Sequence, residues 1–517
     1  MPHPEIPWEK IAVFDVNHGG LSIAKQLEKY GILAVAFDVY KKMPADIMKA
    51  AGDESVTDSE TDSETDSETG TKIKITANED DLTDDFELVC LPVHLSPENS
   101  FYKKAEELGL PTMTHHEIVG RLLRSDPRIA DRYLVEITGV RGKTSTAVLL
   151  AQMLSYKNRV LLHTSEGMTF WDNGRFERIE PGISITPAYV PDLADLAFER
   201  KYMPNTLIFE ISLGFTGAQD IGILTEAHPD YMIAGGTMNS TDAKTKMISR
   251  SKEGSAFVVS YHDSEIIQNY IREDQELIIF DDSGEAVEEN TPTDVYVNIT
   301  TGTDEEPVAD IESSRTGIFF RAPLSSGYNV NSYKTAMAAA VAAALELDIP
   351  EQQITEVISE FKGVKGRMRE YEEKGRLIMD NSNSGLTIET AETALKYMLE
   401  KYTDKKSPEY DSTVSKRVTL VIGEDEKTVC EGIEPHDIEE LIVDYRDDIQ
   451  NLILVGERMK PFTKVKASDC EDDPLEKTED DIFCKSIYAD SFEDGLEKAI
   501  EITDEGDIIV AAVKCFR

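Results

Sequence analysis

With 517 residues, 40% of them hydrophobic, the chain is long enough for about three globular domains. Its 99 acidic and 53 basic residues give a net charge of −46, which disfavours nucleic acid as a partner and is typical of a halophilic protein in a salt-rich cytoplasm. No run of about 18 apolar residues and no N-terminal signal peptide are recognisable. The five cysteines lack C-x-x-C spacing, so we expect a reduced, cytoplasmic protein without a membrane span or a zinc site.

The first 130 residues predict one α/β domain. Apolar runs at residues 11–16 and 33–39 predict two strands, and the apolar spacing of residues 21–30 predicts a helix between them. The turn at residues 17–20 reads Asn-His-Gly-Gly, and two glycines before a helix N-terminus allow close approach to an anion. Packing of the helix against the strand explains the same glycines equally well.

A repeated acidic tetrad interrupts this domain. Residues 58–69 repeat Asp-Ser-Glu-Thr without any apolar residue. Such a segment cannot bury enough apolar surface to fold, so a disordered acidic insert is predicted near residues 53–72. Strands at residues 86–91 and 111–113, with a helix at residues 100–108, complete the predicted domain.

A second unit, predicted over residues 131–362, begins with a strand, a glycine turn and a helix at residues 133–150. The turn reads T-G-x-x-G-K-T, a shortened Walker loop in which backbone N–H groups point at phosphate and the helix N-terminus adds partial positive charge. Lys143 is expected to reach the β- and γ-phosphates and Thr144 to hold Mg²⁺. The loop residues predicted to bind ATP are Thr138, Gly139, Val140, Arg141, Gly142, Lys143, Thr144 and Ser145.

Strands alternate with helices after the loop, which predicts a mostly parallel, doubly wound sheet. Glu210 ends one of these strands. Since the strand ends of such sheets bind ligands, Glu210 and Thr144 are predicted to hold one Mg²⁺ through hard oxygen atoms. The strands are expected at residues 159–163, 207–211, 231–234 and 256–260, followed by β-structure at residues 304–320 and an alanine-rich helix at residues 331–347.

A third unit, predicted over residues 363–517, is a second α/β fold. A helix is expected at residues 387–401, and polar, charged insertions are expected at residues 404–414 and 467–481. The predicted strands are residues 377–379, 417–422, 451–455 and 507–512.

The phosphate loop, together with Glu210 in Phe-Glu-Ile-Ser, resembles the nucleotide site of the Mur ligase superfamily. Residues 327–331 and the Gly-Val-Lys-Gly-Arg-Met turn at residues 363–368 resemble it further. The resemblance implies a three-domain α/β architecture: an N-terminal Rossmann-like domain, a central P-loop ATPase domain and a C-terminal Rossmann-like domain. It also implies ATP contacts from Asn329, Asn331, Arg367 and Asp380, and catalytic roles for Lys143, Glu210 and Arg367.

The chain departs from the superfamily pattern at two histidines. The superfamily's D-Y-A-H-N-P is replaced by the segment at residues 380–385, and its N-x-x-D-H-L-D by the segment at residues 238–244. The histidine that commonly binds a second Mg²⁺ is therefore missing, and only one Mg²⁺ is predicted. The carbamylated lysine of many members has three candidates here: Lys244, Lys246 and Lys252.

Three further segments resemble one archaeal branch of the superfamily, the coenzyme F(430) synthetases of methanogens. These segments are residues 14–20, 162–171 and 183–187. The resemblance implies ATP- and Mg²⁺-dependent activation of a carboxylate as an acyl phosphate, closing the carbocyclic ring of the nickel tetrapyrrole 15,17(3)-seco-F(430)-17(3)-acid. The residues expected to contact this polycarboxylate are His18, Gly19, Gly20 and Arg141, within a cleft that also draws on Lys25, Lys41 and Arg175.

Two other functions stay open on the residues. A Mur-type amide ligase would add an amino acid to a (pseudo)peptidoglycan precursor, and a non-enzymatic module would bind nucleotide only. Arg141 likewise has two interpretations, since it either faces the acidic substrate or pairs with a carboxylate nearby.

Overall fold

The computed structural model describes residues 5–42, 73–283, 293–301, 306–403, 407, 417–425, 432–461 and 486–516. The chain divides into two compact units. The first comprises Met1–Thr300, Ala309–Ala322 and Thr335–Val357, and the second comprises Thr301–Val308, Pro323–Lys334 and Ile358–Arg517. The bounds of the three predicted domains stay a prediction. The predicted acidic insert lies outside the described residues, as does nearly all of the two later insertions.

The first unit opens with a parallel five-stranded sheet in the order β3-β2-β1-β4-β5. Residues of β1 alternate between two apolar clusters, with Ile11 and Val13 on one face and Ala12 and Phe14 on the other. Both faces are therefore buried, as in other parallel sheets. The strands are β1 Lys10–Phe14, β2 Leu33–Phe37, β3 Lys74–Thr76, β4 Leu88–Leu91 and β5 Thr112–Thr114, and the helices are α1 Gly20–Lys29, α2 Ser100–Glu107, α3 His115–Ser125 and α4 Pro127–Ala130.

An eleven-stranded sheet follows in the order β18-β17-β16-β15-β14-β11-β6-β10-β7-β8-β9. Its strands are β6 Tyr133–Thr138, β7 Val160–Thr164, β8 Gly167–Asp172, β9 Arg175–Pro181, β10 Thr206–Glu210, β11 Ile221–Leu224, β14 Ala256–Ser260, β15 Glu276–Asp281, β16 Val295–Thr301, β17 Pro307–Ser313 and β18 Ile318–Pro323. A separate hairpin pairs β12 Met232–Ile233 with β13 Met238–Asn239. The helices of this region are α5 Lys143–Ser155, α6 Val190–Glu199, α7 Ser240–Thr245, α8 Tyr261–Gln268, α9 Lys334–Glu346 and α10 Glu351–Glu360.

One predicted strand of the large sheet was wrong. Residues 231–234 were expected in the sheet, but β11 takes that place between β6 and β14. The sheet position belongs to β11 because its four residues are all buried, whereas Tyr231 is 48% exposed and Met232 is 55% exposed. A glycine at position 222 weakens the strand signal, yet a Cβ there would lie 2.8 Å from the Phe257 ring.

The second unit contains a six-stranded sheet in the order β19-β20-β24-β21-β22-β23, parallel except for the β19–β20 pair. Its strands are β19 Arg369–Glu373, β20 Arg376–Asp380, β21 Val418–Glu424, β22 Ile449–Val455, β23 Ile487–Ala489 and β24 Ile508–Lys514, and its helices are α11 Ile388–Thr403, α12 Pro435–Asp444 and α13 Phe492–Ile502. The predicted α/β class is confirmed. Over the part of the chain described above, no helix is long and apolar enough to cross a bilayer.

Close packing fixes the first sheet domain against the segment that precedes α6. Gly19 has a φ of 103°, and a Cβ built there would lie 2.4 Å from the Ala188 Cβ. The Ser22 hydroxyl donates to the Ala188 carbonyl at 2.8 Å. In a second contact of the first sheet domain, His116 Nε2 lies 2.9 Å from the carbonyl of Ser212, two residues after β10. These contacts bring the carboxyl end of β1 towards the carboxyl end of β10.

We predict that Gly19→Ala lowers the free energy of unfolding by about 2–5 kcal/mol. Alanine is disfavoured in the left-handed conformation, and its Cβ would clash with the Ala188 Cβ. Gly31 is the matched control, since it has a φ of 78° but no atom within 4 Å of its built Cβ. Gly31→Ala should cost only the conformational part, about 1–2 kcal/mol. Urea unfolding of the two variants measures the difference, and equal losses would contradict the close packing at Gly19.

Candidate functional site

The phosphate loop between β6 and α5 is shaped by two glycines in the left-handed region. Gly139 has a φ of 143° and Gly142 a φ of 80°. A Cβ on Gly139 would lie 2.2 Å from the Thr225 hydroxyl oxygen, so no larger residue fits there. Gly142 is the N-cap of α5 and offers no side chain to the first helical N–H groups. Such N–H groups, with the helix dipole, are suited to a phosphate.

Residues at the end of β11 hold the loop in this conformation. Val140 N donates to the Glu226 carbonyl at 2.8 Å, and Thr225 N donates to the Thr138 carbonyl at 3.0 Å. The Thr138 hydroxyl accepts from Gly214 N at 3.1 Å. Thr138 is therefore a buried anchor of the loop, and hydrogen bonds within the protein hold the loop conformation.

Lys143 folds over its own loop. Its Nζ donates to the Gly139 carbonyl at 3.0 Å and to the Val140 carbonyl at 3.4 Å. These carbonyl contacts place the ammonium group at the loop, where a bound phosphate oxygen would be a stronger, charged acceptor.

A buried cluster of oxygen atoms lies directly below the loop. The Thr144 hydroxyl donates to Glu210 Oε2 at 2.9 Å, and Ser165 N donates to the same oxygen at 3.1 Å. The Ser165 hydroxyl lies 3.3 Å from the Thr144 hydroxyl. All three side chains are buried, and hydroxyl and carboxylate oxygens are the donors that Mg²⁺ prefers. The predicted metal residues Thr144 and Glu210 are thus brought together, and this donor set fits Mg²⁺.

Ser165 is a member of this cluster that the sequence did not single out. It follows β7 directly, so its position after a strand end was the available signal.

Lys244 is the one of the three candidate lysines that lies near the loop. Its Nζ donates to the Ser240 hydroxyl at 2.8 Å and lies 5.0 Å from the centre of the Tyr231 ring. Burial, with the nearby Lys143 charge, lowers the pKa of Lys244 to about 8. Lys252 instead pairs with Asp220, and the charge of Lys246 acts on Glu117.

Arg141 is exposed at the tip of the loop. Burial raises the pKa of Glu226, and the nearby Arg141 charge opposes that rise. A carboxylate therefore lies near Arg141. Because Arg141 is exposed, its guanidinium is also accessible from solvent.

The predicted substrate residues of the first domain surround a buried carboxylate. His18 Nδ1 lies 2.8 Å from Asp15, and His94 Nε2 lies 3.7 Å from the same side chain. Gly20 is buried, its N–H donates to the Asp15 carbonyl at 2.9 Å, and a Cβ there would lie 2.5 Å from the Phe14 carbonyl. Asp15 and His94 were not predicted. Both follow strand ends of the first sheet, β1 and β4.

The nucleotide residues predicted in the second unit lie around one turn. Asp380 is buried and accepts from Gly366 N at 3.1 Å, and Asn329 N donates to the Met368 carbonyl at 3.0 Å. Arg367 lies between these anchors and donates to the Gly366 carbonyl at 3.4 Å. Asn331 is exposed, whereas the Asn329 side chain caps the following turn by accepting from Ser332 N at 3.3 Å. Of the two asparagines, Asn331 is the one accessible to a base.

Comparisons with known proteins found chains similar to this one. A family model described as "Coenzyme F430 synthetase CfbE, C-terminal domain" matches residues 370–515. The coenzyme F(430) synthetase of Methanosarcina acetivorans is 35% identical over 519 residues, covering 98% of this chain and 99% of that protein. The synthetase of Methanocaldococcus jannaschii is 25% identical over 232 residues, covering 45% of this chain and 48% of that protein.

Among solved structures, the MurF ligase from Thermotoga maritima in complex with ADP is 15% identical. The superposition covers 85% of this chain and 93% of that one, with a TM-score of 0.48.

We predict that cyanate modifies Lys244 with a half-maximal rate near pH 8, because its pKa is lowered to about 8 and only the neutral amine reacts. Peptide mapping by mass spectrometry over a pH series measures the rate at each lysine. Lys396 is the control, because its hydrogen bond to Glu392 raises its pKa, so its rate should keep rising beyond about pH 8. Parallel pH profiles for the two lysines would contradict the depressed pKa.

Proposed function

Since the chain belongs to the coenzyme F(430) synthetase family of the Mur ligase superfamily, we propose that it is an ADP-forming ligase that activates a substrate carboxylate with ATP and Mg²⁺. One observation supports this function above the others. The glycine loop with Lys143 lies over the Thr144–Glu210 contact, which combines a phosphate cradle with a hard-oxygen metal site.

Each residue of this site has a proposed task. The N–H groups at the start of α5 and the Lys143 ammonium bind the β- and γ-phosphates. Thr144 and Glu210 hold Mg²⁺, and Ser165 N keeps Glu210 Oε2 pointed at Thr144. Bound Mg²⁺ supplies charge neutralisation for the transferring phosphoryl group.

The reaction proposed has two stages. A carboxylate oxygen of the substrate attacks the γ-phosphorus, the bond from that phosphorus to the β-γ bridging oxygen breaks, and ADP leaves with an acyl phosphate formed. A carbon nucleophile of the same macrocycle then loses its proton to solvent and attacks the acyl carbon, which expels inorganic phosphate and closes the carbocyclic ring. The substrate proposed is 15,17(3)-seco-F(430)-17(3)-acid, a nickel tetrapyrrole. An amine nucleophile from a second molecule would instead give the amide ligase.

In the second unit, Arg367, Asp380 and Asn331 are proposed to serve the nucleotide. The hydrogen bond from Gly366 N to the Asp380 carboxylate fixes the turn that carries Arg367. Asp380 is therefore proposed to position Arg367 in addition to contacting the ribose. Lys244, with its lowered pKa and its position near Lys143, is our proposed site of carbamylation.

We predict that Lys143→Ala reduces substrate-stimulated phosphate release by about 10²–10³-fold, the usual loss for one charged donor at a developing anion. Lys157→Ala is the matched control, since this lysine follows the same helix and donates to the Asp348 carbonyl at 2.9 Å. The assay uses the full chain in high salt with Mg²⁺-ATP and the nickel seco-acid, and UDP-linked peptides in a parallel arm. Full turnover by Lys143→Ala would contradict the proposed ligase function. Phosphate release stimulated by the peptides and not by the nickel seco-acid would favour the amide ligase.

We also predict that Glu210→Gln raises the Mg²⁺ concentration needed for half-maximal turnover by about 10–100-fold, because the anionic oxygen of the site is lost. A titration of phosphate release against Mg²⁺ measures the shift. Glu199→Gln, at an exposed acid on α6, is the control and should leave the titration unchanged. An unchanged midpoint in Glu210→Gln would remove Glu210 from the metal site.

A further inference from the structure

Two histidines stand over one buried aspartate at the carboxyl edge of the first sheet. The Asp15 side chain is fully buried, whereas the His18 side chain is 41% exposed and the His94 side chain 37% exposed. One ligand atom from each of the three lies within 4.8 Å of the others. The rings of His18 and His94 meet edge to face, with centroids 5.8 Å apart.

The backbone is strained to put Asp15 there. Its φ of 68° and ψ of 71° lie in the left-handed region, which costs a non-glycine residue free energy. The main chain holds it through Asp15 N donating to the Phe37 carbonyl at 3.0 Å and Gly20 N donating to the Asp15 carbonyl at 2.9 Å. Strain of this kind is a signature of functional sites.

Asp15 sets the state of His18. Both carboxylate oxygens lie 2.8 Å from His18 Nδ1, and one also accepts from His18 N at 3.2 Å. A carboxylate at Nδ1 fixes the proton on that nitrogen, so the neutral ring carries its lone pair on Nε2. This is the pairing that orients metal-binding histidines.

The geometry favours a metal that is already held by another ligand set. A free transition ion in a protein takes three or four protein donors. Here the carboxylate is buried and its 2.8 Å contacts with His18 Nδ1 are of hydrogen-bond length, which leaves the imidazole as the outward ligand. One imidazole suffices for the axial position of a metal bound by a macrocycle, and imidazole is a good donor for nickel.

The cluster also lies on the correct side of the first unit. Gly19, next to His18, contacts Ala188, and Ser212 N, just beyond Glu210, donates to the Ile185 carbonyl at 3.0 Å. The three Cα-to-Cα steps from Ile185 to Ala188 span at most about 11 Å. A macrocycle held at His18 would therefore have its side-chain carboxylates within reach of the phosphate site.

We propose that His18 Nε2 is an axial ligand to the nickel of the tetrapyrrole substrate, with Asp15 as its positioning residue and His94 packing against its ring. This inference rests on the proposed function, because it names how the substrate of that same site is held. The phosphate loop supplies the chemistry, and His18 supplies the fixed point that orients the macrocycle.

The test is a titration of the full-length protein with the nickel seco-acid in the absence of ATP, followed by absorption and by paramagnetic shifts in the ¹H NMR spectrum. Binding of an axial imidazole should shift the absorption bands and render the nickel paramagnetic. His18→Ala should abolish both changes and weaken binding by about 10–100-fold, and added free imidazole should restore the spectrum. Asp15→Asn, a residue type that tolerates a positive φ, should weaken binding over the same range.

His436→Ala is the control, because this histidine is 75% exposed on α12 and should leave the spectrum and affinity unchanged. The nickel-free macrocycle is the second probe. Equal loss of affinity for the nickel and nickel-free forms in His18→Ala would mean that His18 binds a carboxylate, and would overturn the proposal. Turnover with an unshifted bound spectrum would overturn it too, while leaving the ligase function intact. An absence of both binding and stimulated phosphate release would instead overturn the function on which it rests.

Discussion

Glu210 Oε2 accepts from the Thr144 hydroxyl at 2.9 Å and from Ser165 N at 3.1 Å, deep below the phosphate loop. A buried carboxylate is costly unless such donors satisfy it. These bonds tie the ends of β7 and β10 to the first turn of α5, so the loop, the helix N-terminus and the metal donors share one rigid edge of the sheet. The proposed chemistry depends on this edge, because phosphoryl transfer relies on positioning and charge neutralisation.

Basic side chains lie around the phosphate loop, although the chain as a whole is strongly acidic. The protein carries a net charge of −46, yet Lys143, Lys244 and Arg141 gather around the loop. The lowered pKa of Lys244 arises from burial and from the neighbouring Lys143 charge, so these two ammonium groups repel each other. Under the proposed function, a bound nucleotide triphosphate would offset that repulsion with its negative charge.

Short sequence patterns predicted the phosphate loop. The other features of the site depend on contacts between residues that are distant in sequence. The positive φ values of Gly139 and Gly142 are encoded by the residues themselves, so T-G-x-x-G-K-T sufficed. Ser165 joins Glu210 across 45 residues, and strand-end position was its only signal. The strand β11 was not predicted because its four residues, with a glycine among them, give only a weak strand pattern. Its burial against Phe257 depends on tertiary contacts, which local sequence does not encode. Asp380 was predicted at a strand end, but its bond to Gly366 N was not.

In the proposed function, the phosphate-loop site activates the substrate's carboxylate by phosphorylating it. The most direct measurement uses substrate whose reacting carboxylate is labelled with ¹⁸O, followed by mass spectrometry of the inorganic phosphate released in one turnover. An acyl phosphate leaves one carboxylate oxygen on the phosphorus, so the account predicts phosphate carrying a single ¹⁸O. Unlabelled phosphate formed together with ring-closed product would contradict it, because the carboxylate oxygen would then never have been bonded to the γ-phosphorus.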